Sequence, residues 1–288
     1  MSQPHSGQVI RTGSEAFLRV LFGVFLAVFA IVVVVYSAQW FAAVTVVVML
    51  IAAREWHRMV RAPAQAAVAD RQPLYIQTAI TGAAIACAVL ALVMRVVPAA
   101  FAFLAVGAVA VFVMAQKRND NPLWHAGGVI YLGLPALALV GLRVFPAQGA
   151  LVVLGLFLIV WATDTGALVF GKLIGGKKIA PRLSPGKTWA GTIGGSITAA
   201  VVFGLYIAFF GFHAPLAALF AFAFSIAAHG GDLFESLVKR RFGYKDSGGL
   251  IPGHGGMLDR MDSMFVASVV LALLVFGLHL NPLFGGHA

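Results

Sequence analysis

Between Gly231 and Asp262 the chain reads GDLFESLVKRRFGYKDSGGLIPGHGGMLDRMD. Five of its ten acidic residues and five of its twenty basic ones fall in this stretch. If a helix runs past Gly231, Asp232, Ser236, Lys239 and Arg240 stand at i, i+4, i+7 and i+8. One face then carries a carboxylate, a hydroxyl and two cations, with Glu235 beside them. A flexible turn follows with Lys245 and Asp246. Pro252-Gly253-His254-Gly255-Gly256 then leads into a new helix near Leu258, which opens with Asp259, Arg260 and Asp262. Glycine-rich backbone at a helix N-terminus suits phosphate oxygens. Carboxylates gathered in one site repel one another, and a hard divalent cation relieves the repulsion. Mg²⁺ held by one or two carboxylates plus substrate phosphates is the usual form. Each residue also has a plainer reading: Asp259 as a helix cap, Lys239-Arg240-Arg241 as a membrane anchor, His254 as a solvated loop histidine. Jointly they predict a polyphosphate site with Mg²⁺.

A second charged stretch, Ala162–Gly191, reads ATDTGALVFGKLIGGKKIAPRLSPGKTWAG. Asp164 lies inside an apolar run, where an unpaired carboxylate costs several kcal/mol, so a role in a site outweighs a purely structural one. Gly175-Gly176-Lys177-Lys178 and Ser184-Pro185-Gly186-Lys187-Thr188 combine open backbone with point charge, as anion sites do. The Gly-Lys-Thr ending does not make a nucleotide-hydrolase P-loop. The glycine required upstream is missing, and no strand is expected before it. By itself this stretch reads equally well as an ordinary basic turn.

These residues must be positioned by membrane helices. The chain has 288 residues, is 61% hydrophobic and 10% charged, and has a mean hydropathy of +0.95. That is far too apolar for a soluble domain, which carries about 25% charged residues. The expected fold is all-α and polytopic, with no soluble domain. Nine spans are expected near 17–36, 38–53, 74–94, 98–115, 126–146, 149–170, 189–210, 214–230 and 261–280. Residues 1–146 form an N-terminal helical region, and 147–288 a catalytic region with loops at 172–188 and 231–260. The first apolar run reads as a membrane helix rather than a cleaved signal. With nine spans, eighteen of the twenty basic residues fall on one side and only Arg95 and Arg143 on the other. This bias places both charged stretches on the cytoplasmic face; the membrane expected is a prokaryotic cell (inner) membrane. The net charge of +10 therefore reads as topology and attraction to anionic lipid and phosphate, not as a nucleic-acid surface. Cys87 is the only cysteine, which excludes disulfides within the chain and thiolate metal sites.

The second half resembles the phosphatidate cytidylyltransferases, also called CDP-diacylglycerol synthases. Ser236, Lys239, Arg240, Lys245, Asp246, Pro252, His254, Gly255, Gly256, Asp259, Arg260 and Asp262 match the long signature of that family without a gap. Asp164 and the Ser184, Pro185, Lys187, Thr188, Trp189 stretch match as well. Leu168 stands where a Tyr is common, and Ala190 where a Glu is common. The first half is similar only as a hydrophobic multi-helix region. The resemblance implies condensation of CTP with phosphatidic acid, with Mg²⁺ as cofactor. It implies Asp232 and Asp259 as metal ligands, with Asp262 or Asp246 completing the set. Lys239, Arg240, Lys245 and Arg260 would neutralise phosphates. Gly255 and Gly256 would admit phosphates to the backbone. Ser184, Lys187 and Thr188 would meet CTP or the lipid phosphate, with Asp164, Ser236 and His254 also in the site. The partners expected are CTP, phosphatidic acid and the bilayer, with no nucleic acid; a homodimer is left open. A transporter, and a transferase acting on an isoprenoid lipid or another nucleotide, stay open as alternatives. The one-sided charge favours an interfacial enzyme over the transporter.

Overall fold

The computed structural model describes residues 13–66, 72–211, 214–248 and 255–277. In chain order its elements are α1 (Gly13–Tyr36), α2 (Ala38–Met59), the single turn α3 (Pro63–Ala66), α4 (Gln72–Val93), α5 (Val97–Lys117), α6 (Pro122–Val144) and α7 (Gly149–Leu173). Then come β1 (Lys178–Ala180), β2 (Ser184–Thr188), α8 (Trp189–Phe209), α9 (Ala214–Arg241) and α10 (Leu258–Ala272), which runs into a π-helical turn at Leu273–Gly277. Each of the nine expected spans corresponds to one long helix. Eight helices of the described residues are long and apolar enough to cross a membrane, while α1 contributes a shorter apolar stretch, Gly23–Tyr36.

Local chemistry sets the breaks. Ser37, in extended backbone, ends α1 and caps α2 by accepting from the Gln39 N–H at 3.2 Å. Arg95 and Asn121 take positive φ where the chain turns into α5 and α6, and each of those helices has Pro in its first turn. The helix α2 continues to Met59, past the expected end at 53. Arg54 and Arg58 stay exposed there, while Glu55, Trp56 and His57 turn inward to partners.

The helices α2, α4, α5 and α6 pack together. A second group is formed by α7, α8 and α9, and α10 lies against α9, α6 and α7. The α7–α8 contact is very close. A Cβ on Gly195 would stand 2.6 Å from the Thr163 carbonyl oxygen, so only glycine admits this approach. It brings Asp164 of α7 beside the start of α8.

The first group is held by a line of buried polar side chains. Thr81 Oγ1 lies 2.8 Å from His57 Nε2, His57 Nδ1 lies 2.9 Å from His125 Nδ1, and His125 Nε2 lies 3.3 Å from Asp120 Oδ2. Asp120 Oδ1 accepts from the Ala62 N–H at 2.7 Å. Burial pushes the Asp120 carboxyl up, but the hydrogen bonds from His125 and Ala62 and the charge of Arg61 together hold it below its ordinary value.

Candidate active site

The 28 residues of α9 rise about 42 Å, more than the ~30 Å hydrocarbon core needs. Its polar last turns therefore reach the membrane surface, and the helix runs through Gly231 to Arg241 as the spacing of its polar face requires. There both charged stretches line one cavity of about 720 Å³. The helix α7 contributes Asp164 and Leu168. The strand β2 contributes Ser184, Lys187 and Thr188. From α9 come Asp232, Ser236, Lys239 and Arg240, from the following turn Lys245 and Asp246, and from α10 Asp259, Arg260 and Asp262. Of the other candidates, Gly255 and Gly256 are outside this lining. His254 lies outside the described residues.

The expectation that no strand precedes Ser184 is corrected. Residues 178–188 form an antiparallel hairpin, with Lys178 opposite Thr188 and Ala180 opposite Ser184. Gly175 and Gly176, both at positive φ, reverse the chain from α7 into β1. Thr188 is buried and caps α8, its Oγ1 accepting from the Gly191 N–H at 3.0 Å. The hairpin thus starts α8 and turns Lys187 into the cavity.

Opposite charges tie the elements together. Lys187 Nζ pairs with Asp232 Oδ2, joining the hairpin to α9. Lys239 Nζ lies 2.6 Å from Asp259 Oδ1 and 3.1 Å from Glu235 Oε1. The other Asp259 oxygen, Oδ2, accepts from the Ser247 N–H, the Ser247 hydroxyl and the Gly256 N–H, each at 2.9 Å. The Gly256 amide is therefore directed at a carboxylate of the protein itself. Arg240 Nε donates to the Leu183 carbonyl at 3.4 Å, a weak contact between α9 and the hairpin.

Three residues of this region were not candidates from the sequence. His229 lines the cavity one turn before Asp232, and its buried Nε2 has no hydrogen-bond partner among the described residues. It sits in an apolar run, and its only signal is the i, i+3 spacing to Asp232. Glu235 is fully buried against Lys239. Glu55, on α2, reaches the 247–258 region across the chain and has no local signal.

The fit of a metal rests on these donors. Among the described residues, no three His, Cys, Asp or Glu side chains are grouped to hold a metal ion by themselves. The Asp232 and Asp259 carboxylates already face ammonium groups. Such a set suits a cation that takes most of its oxygens from phosphate and water, as Mg²⁺ does, and not a closed protein cage.

Comparison with known proteins finds relatives of the chain. A model described as the cytidylyltransferase family matches residues 17–278. The chain is 44% identical over 176 residues to a phosphatidate cytidylyltransferase of Brucella suis biovar 1 (strain 1330), which covers 59% of this chain and 63% of that protein. It is 42% identical over 150 residues to one from Staphylococcus saprophyticus subsp. saprophyticus, covering 51% and 56%. To one from Rickettsia bellii (strain RML369-C) it is 40% identical over 162 residues, covering 53% and 69%. The alignments to the Brucella and Staphylococcus proteins span less than two thirds of those proteins.

Proposed function

The chain belongs to the cytidylyltransferase family, and on that premise we propose that it condenses CTP with phosphatidic acid to give CDP-diacylglycerol and pyrophosphate. One observation carries this reading. The polar cavity shares Asp164 and Arg260 with an apolar groove of about 460 Å³. That groove runs between α1, α2, α7 and α10 and is lined by side chains such as Phe29, Phe157, Trp161 and Met264. A charged chamber joined to a hydrocarbon slot at one acid and one guanidinium suits a reaction between a nucleotide and a lipid phosphate.

The lipid phosphate monoester is already an anionic nucleophile, so no strong general base is required. One of its oxygens attacks the α-phosphorus of CTP. The new P–O bond forms as the bond to the β-phosphate oxygen breaks, and pyrophosphate leaves with the electron pair. CTP carries about four negative charges and phosphatidate between about one and two, so the barrier is largely electrostatic. Lys187, Lys239, Arg240, Lys245 and Arg260 line the chamber to offset them. The pairs Lys187–Asp232 and Lys239–Asp259 hold two of these cations in place before substrate arrives. On binding, phosphate draws each lysine toward itself and frees a carboxylate. Asp232, Asp262 and Asp259 Oδ1 would then hold Mg²⁺, which polarises the phosphoryl oxygens and offsets charge on the leaving group. Arg260 holds the lipid phosphate where groove and chamber join. Ser184 and Ser236 offer hydroxyls to phosphate oxygens, while Thr188 acts through the start of α8.

Purified protein with labelled CTP, phosphatidic acid and Mg²⁺ should release pyrophosphate and CDP-lipid together. In the same assay Lys187→Ala should lower kcat/KM at least tenfold, about 1.4 kcal/mol. Lys177→Ala, on the same loop but outside the cavity, should do much less. CTP turnover without CDP-lipid would overturn the reaction. Equal small effects of the two substitutions would overturn the role of the hairpin.

The site is proposed to face the cytoplasm across a prokaryotic inner membrane, on the strength of the basic residues gathered on its side. Arg182, exposed in the hairpin turn, offers a clean probe. In a Cys87→Ala background, Arg182→Cys should react with an impermeant maleimide only in inside-out vesicles. Labelling of intact cells would reverse the orientation.

A further inference from the structure

Helix α2 belongs to the half of the chain without a recognisable motif, yet it grips the loop behind the active site. Glu55 Oε2 accepts from the Leu258 N–H at 2.9 Å, and that amide is one of the donors left unpaired at the start of α10. The same oxygen lies 3.3 Å from Ser247 Oγ. One turn along α2, Arg58 Nη2 donates to the Ser247 carbonyl at 2.7 Å. Glu55 and Ser247 are both buried. The loop is also shaped to receive this carboxylate. A Cβ on Gly248 would collide with Glu55 Oε1, and one on Gly256 with Glu55 Oε2 and Ser247 Oγ. These glycines make the space that Glu55 fills.

Of the residues held this way, Ser247 binds Asp259 directly, and so does Gly256, which packs against the Glu55 carboxylate. The Ser247 N–H and hydroxyl and the Gly256 N–H converge on Asp259 Oδ2. With three donors on Oδ2, the orientation of the carboxylate is fixed and Oδ1 is presented to Lys239. We propose that Glu55 is a positioning residue of the active site. From α2 it holds the Leu258 amide, faces Ser247 and packs against Gly256, so that the Ser247 and Gly256 donors set the orientation of Asp259. This inference rests on the proposed cytidylyl transfer for its kinetic consequence, but the anchor itself does not depend on the reaction.

The test compares Glu55→Ala with Glu55→Gln. Glutamine can keep its amide oxygen where Glu55 Oε2 meets the Leu258 N–H and faces Ser247 Oγ, losing only the charge, so it should rescue. Expected for Glu55→Ala is a fall in kcat of about tenfold or more, with KM for CTP changed by less than about threefold, and for Glu55→Gln a kcat within about threefold of the parent. Amide hydrogen exchange without substrate gives a second readout. In Glu55→Ala, peptides carrying Ser247 and Leu258 should exchange faster while those of α4 and α5 stay unchanged. An unchanged kcat in Glu55→Ala overturns the proposal, as does faster exchange spread evenly over all helices. If the parent protein makes no CDP-lipid, the proposed reaction fails. The local exchange difference then still decides whether Glu55 anchors the loop.

Discussion

Asp232→Asn is expected to lower turnover by about a thousandfold, on the order of 4 kcal/mol, while the protein still folds and inserts. Asp232 lies where α9 meets the hairpin, paired with Lys187, and its side chain keeps 26% of its exposure toward the cavity. Asparagine has the same shape, and the site is open enough to hydrate it, so packing is preserved. What disappears is a full negative charge. Lys187 loses the partner that holds it in the chamber, and the cation on the phosphates loses a ligand. The measurement is CDP-lipid formation at saturating Mg²⁺, beside gel filtration in detergent to confirm folding. Near-normal turnover at saturating Mg²⁺ would remove Asp232 from the site. Asp259→Asn is a less clean experiment, because Asp259 Oδ2 also collects the three donors of the 247–256 region. Its loss combines chemistry with a loosened loop.

Lys239→Met should be the most destabilising single change at the site, by about 3–5 kcal/mol. Glu235 beneath it is completely buried, and neither of its oxygens accepts a well-formed hydrogen bond among the described residues. Its charge is met by Lys239 Nζ at 3.1 Å. Methionine fills the lysine's volume but leaves that carboxylate uncompensated, and it also releases Asp259. Adding Glu235→Gln to Lys239→Met removes the stranded charge and should recover most of the stability but little of the activity. Thermal unfolding in one detergent compares the three proteins. A Lys239→Met variant as stable as the parent would show that the buried pair contributes nothing to folding.

The polar face of α9 was legible because helical spacing is local. Once Gly231 is taken as helical, Asp232, Ser236, Lys239 and Arg240 have no choice but to align. The nine spans were legible for a related reason, since apolar runs of bilayer length leave little else to form. The hairpin was not. Residues 178–188 show no alternation, and the strands pair through the short turn at 181–183, after Gly175 and Gly176, which composition presented as open backbone for an anion, have turned the chain out of α7. The end of α2 was placed too early because its charges broke the apolar run. Only the fold reveals that Glu55 and His57 are charged or polar residues with buried partners. Glu55 and Leu258 are separated by 203 residues, and no periodicity reports a contact at that distance.

The junction of chamber and groove at Asp164 and Arg260 has a kinetic consequence. On the proposed reaction, only the nucleotide and pyrophosphate exchange with bulk water. The lipid substrate arrives and the lipid product departs by lateral diffusion in two dimensions. Occupancy of the groove is then set by the mole fraction of phosphatidate in the bilayer or micelle, not by its amount per litre. Diluting the membrane with inert detergent or neutral lipid should slow the enzyme as a competitor would, while diluting the whole suspension with buffer at fixed CTP leaves the rate per enzyme unchanged. Such surface dilution makes the enzyme a gauge of membrane composition, and its flux follows the share of phosphatidate in the sheet around it.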